Sequence, residues 1–483
     1  MTKTIKSISN PKLRLEVLTP QEVKRIHDAT LYIIERVGVR FPSKKALEVW
    51  AAHGASVDPD RMVVRAKPEL IESALKHCPP AYPLAARDPA QDLSLDGNHV
   101  YVGTDGCGVE VLDLQTGARR TSCLQDVADI ARLADATEEV AFHWVPVSAQ
   151  DRPPATRGLH EIKVIWENSS KHVQTESIYH AREAAAAIEM AAAIAGGKDA
   201  LRKRPVLSLM QCSAPPLGHD GGSLDAALLA AEAGIPTGFM TMAACLTTGP
   251  ATLAGNLAVG NAEVIAGTAL LQLASPGAPV FYAAAQTASD LRSGAYTGGG
   301  PEDFLFGAAT NLLSDYYNIP LSMGSFATGA KFPNWQAGLE NGLSTFMASI
   351  VLSDMLLGVG LLHGSRIWSY AEMMLDCEIF SIIHKMMQGI VVDDETLALE
   401  AIAAVGPGGN FLTQKHTLQH MRDVFLPQFM DRRPYNEWET RQDGAANWAL
   451  EKARKTLAGH TPDPLDPRLS AELAKIVASL EKA

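Results

Sequence analysis

Cysteine is scarce and unpaired here. Cys78, Cys107, Cys123, Cys212, Cys245 and Cys377 are scattered over 483 residues without a CxxC spacing, which excludes a disulfide scaffold or zinc ribbon and predicts reduced, structural thiols. Basic runs are missing too. With 42 Lys and Arg against 54 Asp and Glu, a net charge of −12 offers no surface for phosphate, so neither nucleic acid nor an anionic membrane is an expected partner. The amino terminus is positively charged but has no apolar run behind it, and the longest apolar stretch, 346–362, carries Asp354. Neither a secretory signal nor a membrane span is expected, and the predicted location is cytoplasmic. No GxGxxG follows a predicted strand and no GxxxxGK[ST] or GxSxG occurs, which lowers dinucleotide, nucleotide and serine-hydrolase readings.

What is present is a chain that is 47% hydrophobic and 20% charged, the composition of a folded domain with a large core. Three helices are predicted near the start. Thr19-Pro20-Gln21-Glu22 reads as a capping box with proline at the first helical position; a second helix is expected over 43–53; a third opens at Pro68 and stops at Cys78-Pro79-Pro80. Short β-branched or apolar runs follow at 100–103, 140–147, 172–178, 205–211, 236–242, 279–285, 320–326 and 356–362. The later ones start roughly 40 residues apart with Ala/Leu-rich helical patterns between them, a βα repeat that implies a parallel sheet. Eight such units predict an α/β fold: a closed (β/α)8 TIM barrel with an N-terminal helical extension and a C-terminal helical tail. The expected division is 1–92 as a helical cap, 93–405 as the barrel with leading hairpin strands, and 406–483 as a loop and helical tail packed on it. The apolar positions of 469–480 suggest a surface for a homo-oligomer.

In such a barrel the reacting groups sit at the carboxyl ends of strands. The residues there include Thr104, Asp105, Ser148, Glu176, Gln211, Gln286 and His363, with few charges and several rings nearby. Ring faces attract an alkylammonium by cation–π contact worth roughly 0.5–2 kcal/mol each. The expected pocket therefore takes Tyr101, Tyr282, Phe326, Trp335 and Phe411 as an ammonium cage, with Glu176, Gln211, Gln286 and His363 as orienting polar groups. His416 and His420 stand at i,i+4, but two positions without the HExxH glutamate predict no metal site.

Several stretches together resemble the trimethylamine methyltransferase family, in its branch without pyrrolysine that includes glycine betaine:corrinoid methyltransferases. They are Ala51-Ala52-His53-Gly54-Ala55-Ser56-Val57-Asp58, Gly249-Pro250-Ala251-Thr252-Leu253-Ala254-Gly255, Asn261-Ala262-Glu263, Trp335-Gln336-Ala337-Gly338-Leu339-Glu340 and Gly406-Pro407-Gly408-Gly409-Asn410-Phe411-Leu412. The resemblance implies a (β/α)8 barrel that moves a methyl group from an amine to the Co(I) of a corrinoid, the cofactor being borne by a partner protein that docks over the mouth. Trimethylamine enzymes of this family carry pyrrolysine after the seventh strand, whereas 325–336 holds ordinary residues only. The implied substrate is thus a quaternary amine such as glycine betaine, carnitine, choline or proline betaine. Lys331, His363 and Arg366 are candidates for a substrate carboxylate. A quaternary-amine binding or sensing protein without turnover is the alternative expectation.

Overall fold

A computed structural model describes residues 8–9, 15, 17–106, 108–296 and 298–482; Cys107 lies outside them. The predicted strands are all present: β1 His99–Thr104, β2 Val140–Trp144, β3 His172–Thr175, β4 Leu207–Cys212, β5 Thr237–Thr241, β6 Val280–Ala284, β7 Leu321–Gly324 and β8 Met355–Val359. Each pairs in parallel with its neighbour, and β8 returns to β1, so the sheet closes.

The strands read as continuous apolar runs because both faces are covered. In β6 every residue is buried: Phe281 and Ala283 point into the barrel with Phe142, Met210 and Leu357, while Val280, Tyr282 and Ala284 join the larger core beneath the helices. A hairpin of Tyr82–Leu84 and Leu93–Leu95 plugs the amino-terminal end of the barrel. It is pinned there by the Tyr82 hydroxyl, which donates to Val280 O at 2.7 Å, and by Asp354, which accepts from the Gly97 and Leu321 amides at 2.9 Å each. The opposite end stays open.

The amino-terminal segment has its three helices, Pro20–Tyr32, Lys44–Ala52 and Pro68–Leu75, packed on the barrel helix Leu253–Ala274. The Thr19–Glu22 capping box is formed, with Thr19 N donating to Glu22 Oε2 at 2.8 Å and Glu22 N to Thr19 Oγ1 at 3.3 Å. The segment is not purely helical: Val39–Arg40, Ser56–Asp58 and Val63–Arg65 add an antiparallel sheet. Leu253–Ala274 is itself long and apolar enough to cross a membrane, but 83% of its apolar window is buried inside the fold, as in a core helix.

At the other end, Ala445–Gly459 packs on Tyr370–Met387, and Pro467–Glu481 packs on Ala181–Ala195 and Arg157–Asn168. The last helix buries Leu473, Ile476 and Val477. This corrects the expectation of a self-association surface at 469–480: those side chains are consumed by the barrel's own helices. The segment between Met387 and Ala445 is largely exposed and is held to the fold near Phe429, which joins the main core.

Candidate active site

At the open end the strand termini surround a cavity of about 410 Å³. Trp144 ends β2, Cys212 ends β4, Met240 and Met242 come from the end of β5, Ala284 to Gln286 from β6, and Met323 to Ser325 from β7. The floor is thus soft and apolar. Tyr296 and Phe306 add aromatic wall from the β6–α connection and the helix Pro301–Tyr317, and Gly307 lets that helix approach, since a Cβ there would meet Met323 Sδ at 2.4 Å.

Among the described residues, two carboxylates line this cavity and no lysine or arginine does. Asp105, just beyond β1, is buried and accepts from the Gly106 amide at 2.8 Å and from the Ser365 hydroxyl. Burial pushes its pKa up to about 6, against the lowering effect of those donors. Asp303 sits in the first turn of its helix, where Pro301 opens the helix and the carboxylate accepts from the Gly300 amide at 3.3 Å and from the Thr287 hydroxyl. Burial pushes Asp303 up to about 7. Two poorly solvated acids facing apolar and aromatic walls make a site whose chemistry suits a cation.

Outside the cavity runs a groove of about 710 Å³ that shares Tyr296, Gly298 and Gly364 with it and is lined by Arg292, Lys331, His363 and Arg366 among others. Burial and the neighbouring Lys331 and Arg366 cations hold the His363 imidazole below its ordinary pKa. The turn carrying it is left-handed at three successive residues, His363 (φ 58°), Gly364 (φ 62°) and Ser365 (φ 62°), a conformation that costs the non-glycine residues about 1–3 kcal/mol each. Its amides donate to Ala330 O at 2.8 Å and Thr328 O at 2.9 Å. Glu340 in turn accepts from the Thr328 hydroxyl at 2.6 Å and the Gly329 amide at 2.9 Å, so the rim is tied together and delivers Ser365 to Asp105.

A family model for trimethylamine methyltransferase (MTTB) matches residues 1–483. The chain belongs to the trimethylamine methyltransferase family. It is 35% identical over 464 residues to the trimethylamine methyltransferase of Desulfitobacterium hafniense strain DSM 10664 / DCB-2, covering 95% of this chain and 93% of that one. It is 34% identical over 477 residues to the glycine betaine methyltransferase of Desulfitobacterium hafniense strain Y51, covering 97% and 98%. Among solved structures, the monomethylamine methyltransferase of Methanosarcina barkeri aligns over 92% of this chain and 93% of its own with a TM-score of 0.51 at 12% identity, a likeness of fold.

In this member of the trimethylamine methyltransferase family the residues predicted for the pocket divide sharply. Gln286 lines the cavity and His363 the adjoining groove. Glu176 and Gln211 are buried close behind; Gln211 donates to Ile178 O at 3.1 Å, and the Glu176 charge reinforces the burial that raises the Cys212 thiol pKa. The five rings of the expected cage do not converge. Tyr101 lies inside the barrel at its closed end, with its hydroxyl accepting from Ser94 N at 3.4 Å. Tyr282 points outward and donates to Asn261 Oδ1 at 3.1 Å, part of a link from the barrel to Thr30 of the cap. Phe326 is packed in the main core, Trp335 is 80% exposed on the barrel's outside, and Phe411 is exposed on the protruding carboxyl-terminal segment. The rings that do line the cavity are Trp144, Tyr296 and Phe306, and Asp303, which follows the glycine-rich stretch 298–302, was not among the residues the sequence pointed to.

Other stretches that carried the resemblance turn out to be braces for the mouth. Glu263 is buried and accepts from the Ser213 and Thr241 hydroxyls at 2.6 and 2.8 Å and from the Leu217 amide at 2.8 Å, fixing the loop after β4. The His416 and His420 rings lie tilted at 32° with centroids 4.4 Å apart, and His420 pairs with Asp423 at 2.7 Å on an exposed helix.

Proposed function

We propose that this protein transfers a methyl group from a quaternary amine, glycine betaine or a close analogue, to the Co(I) of a corrinoid carried by a partner protein. The observation that carries this reading is a small cavity at the barrel mouth that combines Trp144, Tyr296 and Phe306 with the carboxylates of Asp105 and Asp303, in a chain of this family. A trimethylammonium head is bulky, apolar on its surface and positively charged, which suits ring faces together with carboxylates better than either alone.

The corrinoid fits only as a visitor. A cavity of about 410 Å³ takes a small amine but not a macrocycle, so a corrinoid would be presented from the open end, past a rim that includes Gly298, Gly299, Gly300, Gly329 and Gly364. A bound Co(I) corrinoid would supply the electron pair for the new bond to the methyl carbon, while the N–CH₃ pair would stay on nitrogen, which would leave as a neutral tertiary amine. No proton has to move, so the chain's own residues act by orientation and by exclusion of water. Asp105 and Asp303 hold the cationic nitrogen on the cavity side; a carboxylate on the amine reaches outward to the adjoining groove, to Lys331 or to Arg292 and Arg366, which pair there with Asp290 and Glu110.

The test is a panel of quaternary and tertiary amines with the full chain and Co(I) cobalamin, following loss of the Co(I) absorbance together with the demethylated amine. Glycine betaine or a related quaternary amine is expected to lose one methyl per Co(I) consumed. Binding of an amine with no methyl transfer, with the cognate corrinoid protein also supplied, would overturn the reading in favour of a binder.

A further inference from the structure

Charge at the open end is sorted by compartment. Inside the cavity, among the described residues, the charged side chains are those of Asp105 and Asp303 alone. The polar groups around them are already engaged: the Ser365 hydroxyl donates to Asp105, the Tyr296 hydroxyl to Ala285 O, the Ser325 hydroxyl to Leu357 O at 3.0 Å, and the Gln286 amide to Asn256 O at 2.8 Å. An anion placed here would lose its water, meet two carboxylates and find no cation. For a buried charge that is the costliest arrangement.

The adjoining groove carries the opposite sign, with Arg292, Lys331, His363 and Arg366 on its walls. Its own two acids are occupied: Asp290 pairs with Arg292 at 3.1 Å, and Glu340 accepts from Thr328, Gly329 and Gln336. Arg366 faces Glu110 at 3.5 Å. Lys331 differs from both arginines, since its ammonium donates to a neutral acceptor, Gly329 O, at 2.5 Å, and among the described residues no carboxylate pairs with it. The His363 imidazole registers that field, being held below its ordinary pKa by burial and then by Lys331 and Arg366. Cavity and groove meet at Tyr296, Gly298 and Gly364.

Given the quaternary-amine reading above, we propose that this division of charge sets the length of the substrate: the site selects trimethylammonium carboxylates whose acid group stands three or more carbons from nitrogen, long enough to reach Lys331, over those with a single intervening carbon. The cationic head sits with Asp105 and Asp303 in either case. With one carbon the substrate's acid stays beside those carboxylates, whereas with three it passes into the groove. Most of the discrimination comes from the repulsion inside, because Lys331 is exposed and an exposed ion pair contributes little by itself. Lys331 is thus a specificity-determining residue and the two cavity acids are the filter.

Calorimetric titration of the full chain without cobalt, at a pH above about 7 where both cavity acids are ionised, tests this with two matched pairs. Glycine betaine is compared with ethyltrimethylammonium, and 4-trimethylammoniobutanoate with butyltrimethylammonium, so each pair exchanges only a carboxylate for a methyl. The carboxylate is expected to weaken binding about tenfold or more in the short pair and to strengthen it about threefold in the long pair. Lys331→Gln is expected to remove the gain in the long pair and Lys331→Arg to keep it. A carboxylate that strengthens binding in the short pair, one that brings no gain in the long pair, or a gain that survives Lys331→Gln would overturn the proposal. No methyl moves in these titrations, so their outcome is separate from methyl transfer to Co(I), which decides the proposed function on its own.

Discussion

Asp303 reaches the cavity because Pro301 starts its helix two residues earlier, placing the carboxylate in the first turn among amide donors yet against Phe306 and Met323. Its ionised form is penalised by burial, and the same holds for Asp105. Both folded values lie above the ordinary 3.8, so the penalty is absent below 3.8 and complete only above about 6 for Asp105 and about 7 for Asp303. A bound cation needs them ionised. Affinity for tetramethylammonium, which cannot give up a methyl while no Co(I) is supplied, is therefore expected to climb as pH rises through about 6 to about 7 and to level off above; calorimetric titration on both sides of that window checks it, and a flat profile would contradict the carboxylate cage. Asp303→Asn is expected to weaken the same probe about tenfold or more, roughly 1.4 kcal/mol or above, while thermal stability at pH above 7 is kept or raised because a buried charge has gone. Of these two acids only Asp105 is visible from sequence as a strand-end residue; Asp303 lies behind a glycine run that reads as a turn.

Strand ends explain why the barrel was legible and its cage was not. Eight apolar runs at regular spacing announce the βα repeat without any need for side-chain detail. The cage depends on which residue of each run points inward and where the run stops, and both shift with a single residue. The run at 140–147 ends as a strand at Trp144, so the ring that lines the cavity was read as strand interior. Tyr282 fails by parity, since Phe281 and Ala283 take the inward positions of β6, and Tyr101 fails by height, being near the start of β1 rather than its end. Elements also carry their own tests. Thr19→Ala should cost about 0.5–2 kcal/mol of stability by removing one half of the capping box, read from a denaturant midpoint, with no effect on amine binding. Gly299 holds φ +81° and a Cβ there would stand 2.6 Å from Glu340 Cβ and 2.7 Å from Ala327 O, so Gly299→Ala must displace the rim loop. The expected result is impaired methyl transfer with tetramethylammonium affinity changed less than by Asp303→Asn.

Across the whole molecule, a closed and plugged barrel leaves one end for chemistry, and the cap, tail helices and buried braces such as Glu263 and Glu340 keep that end rigid. Rigidity is what the proposed reaction asks for, because nothing is protonated and the rate depends on holding one N–CH₃ bond in line with the incoming metal. Family membership was legible from dispersed motifs, yet several of those motifs brace the mouth rather than touch the cavity, which is why they could not name the contacts to the amine. The central claim joins the cavity to the reaction, and one experiment addresses it: amine labelled with carbon-13 in its N-methyl groups is mixed with Co(I) cobalamin and either wild-type protein or Asp303→Asn at equal, subsaturating amine, and the label is followed by nuclear magnetic resonance. The account predicts transfer of label to cobalt by the wild type and transfer slowed about tenfold or more by the variant, in line with the loss of one charge-assisted contact. Equal transfer by both proteins would contradict it.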